Sequence, residues 1–410
     1  MTTMRISRRL LSSITATLLA VLCSAPALAA QQSGDQAQSD KQRAIQLIND
    51  AKAQEALPIL EKLAKDNPND SQVQFYLGYA KVWSAKLAPD AAARKKMRAE
   101  GYACFKKARE LGMDTPLLKK VLADMPEDGG ADPVYSANKA SNDAMIEAEA
   151  EFARGNLEKA LAAYQKALAI EPTLYEAALF AGDACFKSGD QTRALEFYAK
   201  AMAIDPSRET AYRYMGDALM SAGKTTEARD KYIEGYISEP YTRLSTVGLV
   251  SWAKKTGVGL SHPKIEIPTS VTAGDKDEVN VNLDEKMLNS KGDGSSAWML
   301  YGLTRAHWRM REFAEKYPAE KTYRHSLAEE VDALNKALDS VSVQTKEKTI
   351  KSLSPSLATL IKLKEAGLVE PYVLLARPDS GIAADYPAYL KANRDKLRRY
   401  VLEFVIHQPN

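Results

Sequence analysis

The 410-residue sequence predicts an all-helical chain: a repeated array, followed by a second helical domain that carries a small β-hairpin. Three observations carry this expectation. Gly, Ala, Tyr and Pro recur in columns 34 residues apart between 139 and 240; apolar residues return at helical spacing from Ser295 onward; and strand-like alternation is confined to the neighbourhood of Gly274 and Asp275. A composition of 45% apolar and 27% charged residues excludes a disordered or collagen-like chain and a disulfide-rich miniature.

The first element precedes the fold. Residues 1–29 bring three arginines, the apolar stretch from Leu10 to Leu22, and Ala27-Leu28-Ala29, the small-x-small pattern of a signal-peptidase site. We expect an export signal, a mature chain that starts near Ala30 or Gln31, and a periplasmic or extracellular location without stable membrane insertion. Cys23 follows Leu22 rather than a small residue, which speaks against lipidation, and Ser7-Arg8-Arg9 matches only part of a twin-arginine signal. Lys plus Arg exceeds Asp plus Glu by three, and Arg5, Arg8 and Arg9 account for the excess. The mature chain is therefore balanced, with no overall field to attract nucleic acid. Cys104 and Cys185 remain after the signal, in no metal-binding or redox spacing, and are expected as inert thiols.

Residues 30–40 read as a polar tether, and a first, degenerate set of repeats spans 41–126. Ala56, Leu60 and Pro68, then Leu77-Gly78, fit the columns, whereas Phe105 and Ala108 come about eleven residues late, with the extra turns around Ala88 to Arg98. Glu127-Asp128-Gly129-Gly130 reads as a hinge. Three regular units then fill 139–240. Their columns are Gly155, Gly189 and Gly223; Ala160, Ala194 and Ala228; Tyr164, Tyr198 and Tyr232; Pro172, Pro206 and Pro240, each after an acid; and Gly182 and Gly216.

These residues resemble the tetratricopeptide repeat family, whose unit is two antiparallel helices in 34 residues. The resemblance implies that the first glycine column ends the first helix in the left-handed conformation, that the alanines lie opposite Gly182 and Gly216 where the helices cross, and that the tyrosines pack on the neighbouring repeat. It also implies a concave groove lined by first helices. Met145, Ile146, Glu149 and Phe152, then Leu179, Phe180, Asp183 and Phe186, then Arg213, Tyr214, Asp217 and Met220 fall on that wall. Family members that capture a carboxyl-terminal peptide carry lysine and asparagine at several of these positions. Here they are mostly apolar or acidic, so the expected partner is a protein or peptide segment with apolar and basic residues, facing the acids Glu149, Asp183 and Asp217. The other reading of the same wall is that the protein's own C-terminal helices cover it.

Residues 241–256 are expected to cap the array, and 257–410 to form a mainly helical domain. Ile265 and Ile267, then Val279, Val281 and Leu283, suggest the hairpin. Leu300, Leu303, His307, Met310 and Ala314 make one inward stripe, with His307 a core residue. Leu327, Val331, Leu334, Leu338 and Val341 make another; Leu357, Leu360 and Ile361 a shorter helix; and Leu390, Leu397, Val401 and Phe404 the last. His325 and Glu329, four apart, read as an ion pair on a helix surface. Trp298, Tyr301, Arg305, Trp308, Arg309 and Arg311 form the one unusual cluster. It suits either packing against the repeats or, as the alternative function, carbohydrate binding or processing in this domain. No phosphate loop, nucleophile elbow, paired-carboxylate motif or metal-ligand spacing is present, so neither enzymatic activity nor a cofactor or metal is expected. The leading expectation is an exported scaffold that assembles cell-envelope proteins.

Overall fold

A computed structural model describes residues 25–50, 52–274, 278–285 and 292–407. Most of the expected signal, residues 1–24, lies outside them. The chain divides into two compact units, one ending at Ala177 and the other beginning at Ala178.

The first unit contains α1 (Ala25–Asn49), α2 (Ala53–Asp66), α3 (Ser71–Ser84), α4 (Ala91–Glu110), α5 (Pro116–Asp124), α6 (Lys139–Ala153) and α7 (Leu157–Ile170). The tether expected at 30–40 is instead part of α1. That stretch holds a single glycine and no proline, and the helix is held at its far end by burial of Ala44 and Ile48 against Ala56, Leu60 and Leu77. The late arrival of Phe105 is absorbed by a 3₁₀ turn at Ala85–Leu87 and by the 20-residue length of α4, which Asp90 caps through the Ala93 amide. Gly78 and Gly101 let α3 and α4 touch: a Cβ on Gly78 would stand 2.9 Å from the Phe105 ring and one on Gly101 2.9 Å from the Gly78 carbonyl.

The expected hinge is a clasp. Gly129 and Gly130 have φ of +83° and +60°, and Arg98 donates to both of their carbonyls. Asp132 accepts from Arg94 at 2.7 Å and Arg98 at 2.9 Å, and the Arg94 hydrogen bond holds its carboxyl below the usual carboxylate value. A side chain on Gly129 would collide with the Lys95 carbonyl, so glycine here permits a close approach to α4 and not free rotation.

The second unit contains the rest of α8 (Tyr175–Ser188), then α9 (Gln191–Ile204), α10 (Glu209–Ser221), α11 (Thr225–Ser238) and α12 (Val247–Thr256). After them come β1 (Gly259–Leu260), β2 (Thr269–Ala273), β3 (Val279–Leu283), α13 (Trp298–His307, continued by a π turn over Trp308–Glu312), α14 (Leu327–Lys346), α15 (Pro355–Glu365), α16 (Val369–Ala376), α17 (Tyr386–Tyr400, also continued by a π turn) and β4 (Ile406–His407). β2 and β3 pair antiparallel from Thr269↔Leu283 to Ala273↔Val279, so the first hairpin strand starts after Ile265 and Ile267, and Ile265 is a core residue. β4 returns to β1, pairing Gly259 with His407.

One hydrophobic core runs from Leu219, Tyr232 and Ile233 through Trp252 and Trp298 to Leu360, Tyr372 and Val405. The C-terminal helices therefore dock on the second helix of the last repeat. Glu234 of α11 accepts from Arg394 at 2.7 Å and Arg398 at 2.5 Å of α17, Tyr386 donates to the Ile237 carbonyl, and His262 bridges Tyr236 and Tyr400. Cys104 is half-buried, Cys185 buried, and both are thiols. Burial pushes the Cys104 thiol up. Denaturation without reductant is expected to release two thiols to a blocking reagent, read by intact mass; a bridge between them would contradict the repeat register.

Candidate functional site on the repeats

The regular repeats form as their columns require. Gly155, Gly189 and Gly223 sit at φ of +82°, +86° and +74°, where a Cβ is strained. Gly182 and Gly216 serve a different contact from the expected one. A Cβ on Gly182 would stand 2.5 Å from the Tyr198 ring, and one on Gly216 would overlap Tyr232, so each glycine makes room for the tyrosine of its own second helix.

That packing aims the phenols at the acids. Tyr164 donates to Glu149 at 2.6 Å, Tyr198 to Asp183 at 3.0 Å and Tyr232 to Asp217 at 2.7 Å, each pair 15 residues apart. The sequence read the tyrosines for packing alone; the constant offset between two columns of the same period was the signal for their second role. The three rungs differ. Glu149 also accepts from Lys86 at 2.7 Å, so its charge is met within the first unit, where Arg94, Arg98, Asp132, Tyr135 and Ile146 complete the wall of a small cleft. Asp217 is exposed to solvent, yet the surrounding groups desolvate its carboxylate enough to raise its pKa.

Beside Asp217, Arg213 lies 4.9 Å over the Tyr214 ring and pairs with the buried Glu209 at 3.0 Å, while Tyr214 meets Tyr198 edge-on at 6.0 Å. Glu209 was not anticipated. Its own amide donates to Glu239, and it holds the guanidinium flat on the ring. Phe180, Phe186 and Met220 are half-buried on α8 and α10, and Phe152 is half-buried on α6 of the first unit. Met145 and Leu179 are not on the wall: at 0% and 4% exposure they belong to the core, because their helix positions face the interior.

The C-terminal cluster is likewise largely interior, with Arg311 exposed and paired with Glu315. Trp298 and Tyr301 are buried, Trp308 donates to Asp332 at 2.7 Å, and Arg309 covers the Tyr323 ring at 4.4 Å. Arg305 pairs with Glu329 at 3.0 Å. Trp298 lies in the core shared with the last repeat, and Trp308 is buried within the C-terminal domain. The inward stripe expected from Leu300, Leu303, His307 and Met310 is the outer face of α13, all four being exposed. Gly302 decides the orientation, since the β2–β3 hairpin lies on it with Val281 at 2.7 Å from where a Cβ would be.

His325 precedes α14, whose N-cap is Ser326, and its partners are Glu330 at 3.1 Å and Asp379 at 2.6 Å rather than Glu329. Both Glu329 and Glu330 are buried. Tyr301 donates to Glu330 at 2.7 Å, and Tyr323 donates to Glu329 at 2.8 Å. Every charge in this network has a partner, so it pins α13, α14 and the Asp379 turn together. Among the described residues no helix is long and apolar enough to cross a membrane, and no group of His, Cys, Asp and Glu is arranged to hold a metal ion.

The tetratricopeptide repeat family model matches residues 147–209. No curated protein matches the chain. Among solved structures, the first tetratricopeptide domain of Spaghetti, bound to an HSP90 peptide, is 19% identical over 30% of this chain and 99% of that one, with a TM-score of 0.28. The Sgt2 domain from Aspergillus fumigatus is 24% identical over 30% and 84%, at 0.28. YrrB, a tetratricopeptide protein described as having an unusual peptide-binding site, is 17% identical over 56% and 98%, at 0.26. The glycine, alanine, tyrosine and proline columns are realised as helix pairs, and residues 147–209 within them match the tetratricopeptide repeat model.

Proposed function

We propose that the chain is an exported, non-catalytic scaffold that holds another envelope protein against the first helices of its repeats. The observation that carries this reading is the recurrence, on one helix after another, of an acid positioned by a tyrosine and flanked by half-buried aromatics. Export is supported by the arginines, apolar stretch and Ala-Leu-Ala of residues 1–29. Fixed carboxylates beside apolar anchors favour a segment that brings Lys or Arg between apolar residues, and charges held in place steer association more than they add affinity.

Glu149 is paired with Lys86 in the first unit, so the test addresses the two acids of the second unit, Asp183 and Asp217. Envelope extract passed over the immobilised mature chain supplies the partner, and Asp183→Asn with Asp217→Asn supplies the test. Asparagine still accepts the tyrosine hydroxyl, so melting should change little. Association should slow by about tenfold and lose most of its salt dependence. Unchanged association kinetics would place the partner elsewhere.

A further inference from the structure

We propose that α12 is the first helix of a half-repeat, and that its bare outer face takes an acidic amphipathic helix from another protein, seated where that repeat's own second helix would lie. The register is fixed by Tyr232, whose ring is held between Gly216 of α10 and Gly248 of α12; a Cβ on either glycine would overlap it. Position 248 thus corresponds to 216 in α10 and to 182 in α8. On this register Val247 and Val250 of α12 stand where α10 has Met215 and Ala218 and α8 has Ala181 and Ala184, and Leu244, in the turn that leads into α12, comes at the position of Tyr212 and Ala178.

In the two complete repeats these positions are inside: the four alanines are at most 1% exposed, Tyr212 is 8% exposed and Met215 is half-buried. Their cover is the repeat's second helix, for a Cβ on Gly235 of α11 would stand 3.3 Å from Tyr212 Cβ. In α12 the chain leaves at Gly257, with φ +74°, for β1, and no second helix follows. Leu244, Val247 and Val250 are consequently 56%, 49% and 55% exposed. A capping helix ends an array by turning a polar face outward. α12 caps Tyr232 on one side and leaves an apolar face on the other.

Charge names the occupant. Arg243, Lys254 and Lys255 border the face, are exposed, and make no ion pair among the described residues, and residues 241–257 contain no acid. Apolar residues one turn apart between cations match a helix that carries a small residue at the crossing and acids along its edges. This face is separate from the first-helix wall invoked above, so either proposal stands if the other fails.

The probe is a labelled peptide of residues 157–170 carrying Lys159→Glu and Lys166→Glu, which keeps the Ala160, Tyr164 and Ala167 column of a second helix and is acidic. Titrated with the full mature chain and followed by anisotropy, it should bind saturably and weaken as salt rises. Val247→Asp with Val250→Asp should weaken binding by about tenfold or more. Lys254→Glu with Lys255→Glu, which leaves the apolar residues in place, should do the same without altering the melting curve. Equal binding by either variant, or no binding by the wild type, overturns the proposal. So does a concentration-dependent dimer that Val247→Asp abolishes, which would make a second copy the occupant, or binding to phosphatidylserine vesicles in place of the peptide, which would make the face a membrane contact.

Discussion

Replacing Glu330 by alanine is expected to destabilise the second unit by about 3–5 kcal/mol, the cost of leaving buried partners uncompensated. Glu330 is 1% exposed and accepts from Tyr301 and His325, with Arg305 at 3.8 Å and Arg377 at 3.7 Å. Removing the carboxylate takes the buried partner from the Tyr301 phenol and leaves the half-buried Arg305, Arg377 and His325 with one fewer compensating charge. Urea unfolding of the wild type and of Glu330→Ala checks the size, and Tyr301→Phe, which removes one hydrogen bond only, should cost no more than about 1–2 kcal/mol.

The same network sets a pH window. Burial disfavours the His325 imidazolium, but the Glu330 hydrogen bond and the neighbouring carboxylates outweigh it, so His325 is raised from its ordinary 6.5. Its contribution is fully present below 6.5 and is lost as pH rises through the raised folded value. Burial also works against the Glu330 and Asp379 carboxylates. The His325 hydrogen bond and nearby cations prevail at Glu330, and the Ile382 amide and His325 prevail at Asp379, so both are lowered. Their contribution is present above the ordinary carboxylate range and fades as pH falls through their folded values. Glu329 runs the other way, since desolvation raises it and acid relieves that cost. Melting temperature should therefore decline as pH rises above about 6.5, a decline that His325→Asn removes.

Leucine at Gly216 is expected to cost about 3 kcal/mol or more, the upper end for forcing volume into a packed core. A Cβ there would already stand 2.7 Å from Tyr232 Cδ1 and 2.8 Å from Cζ, and Gly248 on the far side of the ring leaves it no room to retreat. The Tyr232 hydroxyl would also lose its aim at Asp217. At roughly 2–4 °C per kcal/mol for a unit of this size, melting should fall by about 6–12 °C. A melting curve like the wild type's would mean that α10 and α11 do not cross at this glycine. Alanine at Gly223 meets open space and only left-handed strain, so it should cost less.

The periodic part of this protein is legible because each column answers a local demand repeated at a fixed interval: a left-handed residue after the first helix, a small residue at the crossing, a ring against it. Such demands leave the same residue type at the same spacing, and the 15-residue offset from acid to phenol was written there too. The C-terminal domain has no period, and its helices satisfy one another across long separations. On α13 two faces were both apolar enough to be inward, Leu300, Leu303 and Met310 on one and Trp298, Tyr301 and Trp308 on the other. The choice fell to Gly302, which admits the hairpin, and to Arg305, which needs Glu329 and Glu330 from another helix. His325 likewise found Asp379, 54 residues away, instead of its helical neighbour. The open face of α12 belongs to the same class. The sequence placed a helix there and gave it apolar residues, but only the turn at Gly257 into a strand that pairs with the C-terminus determined that no second helix would cover them.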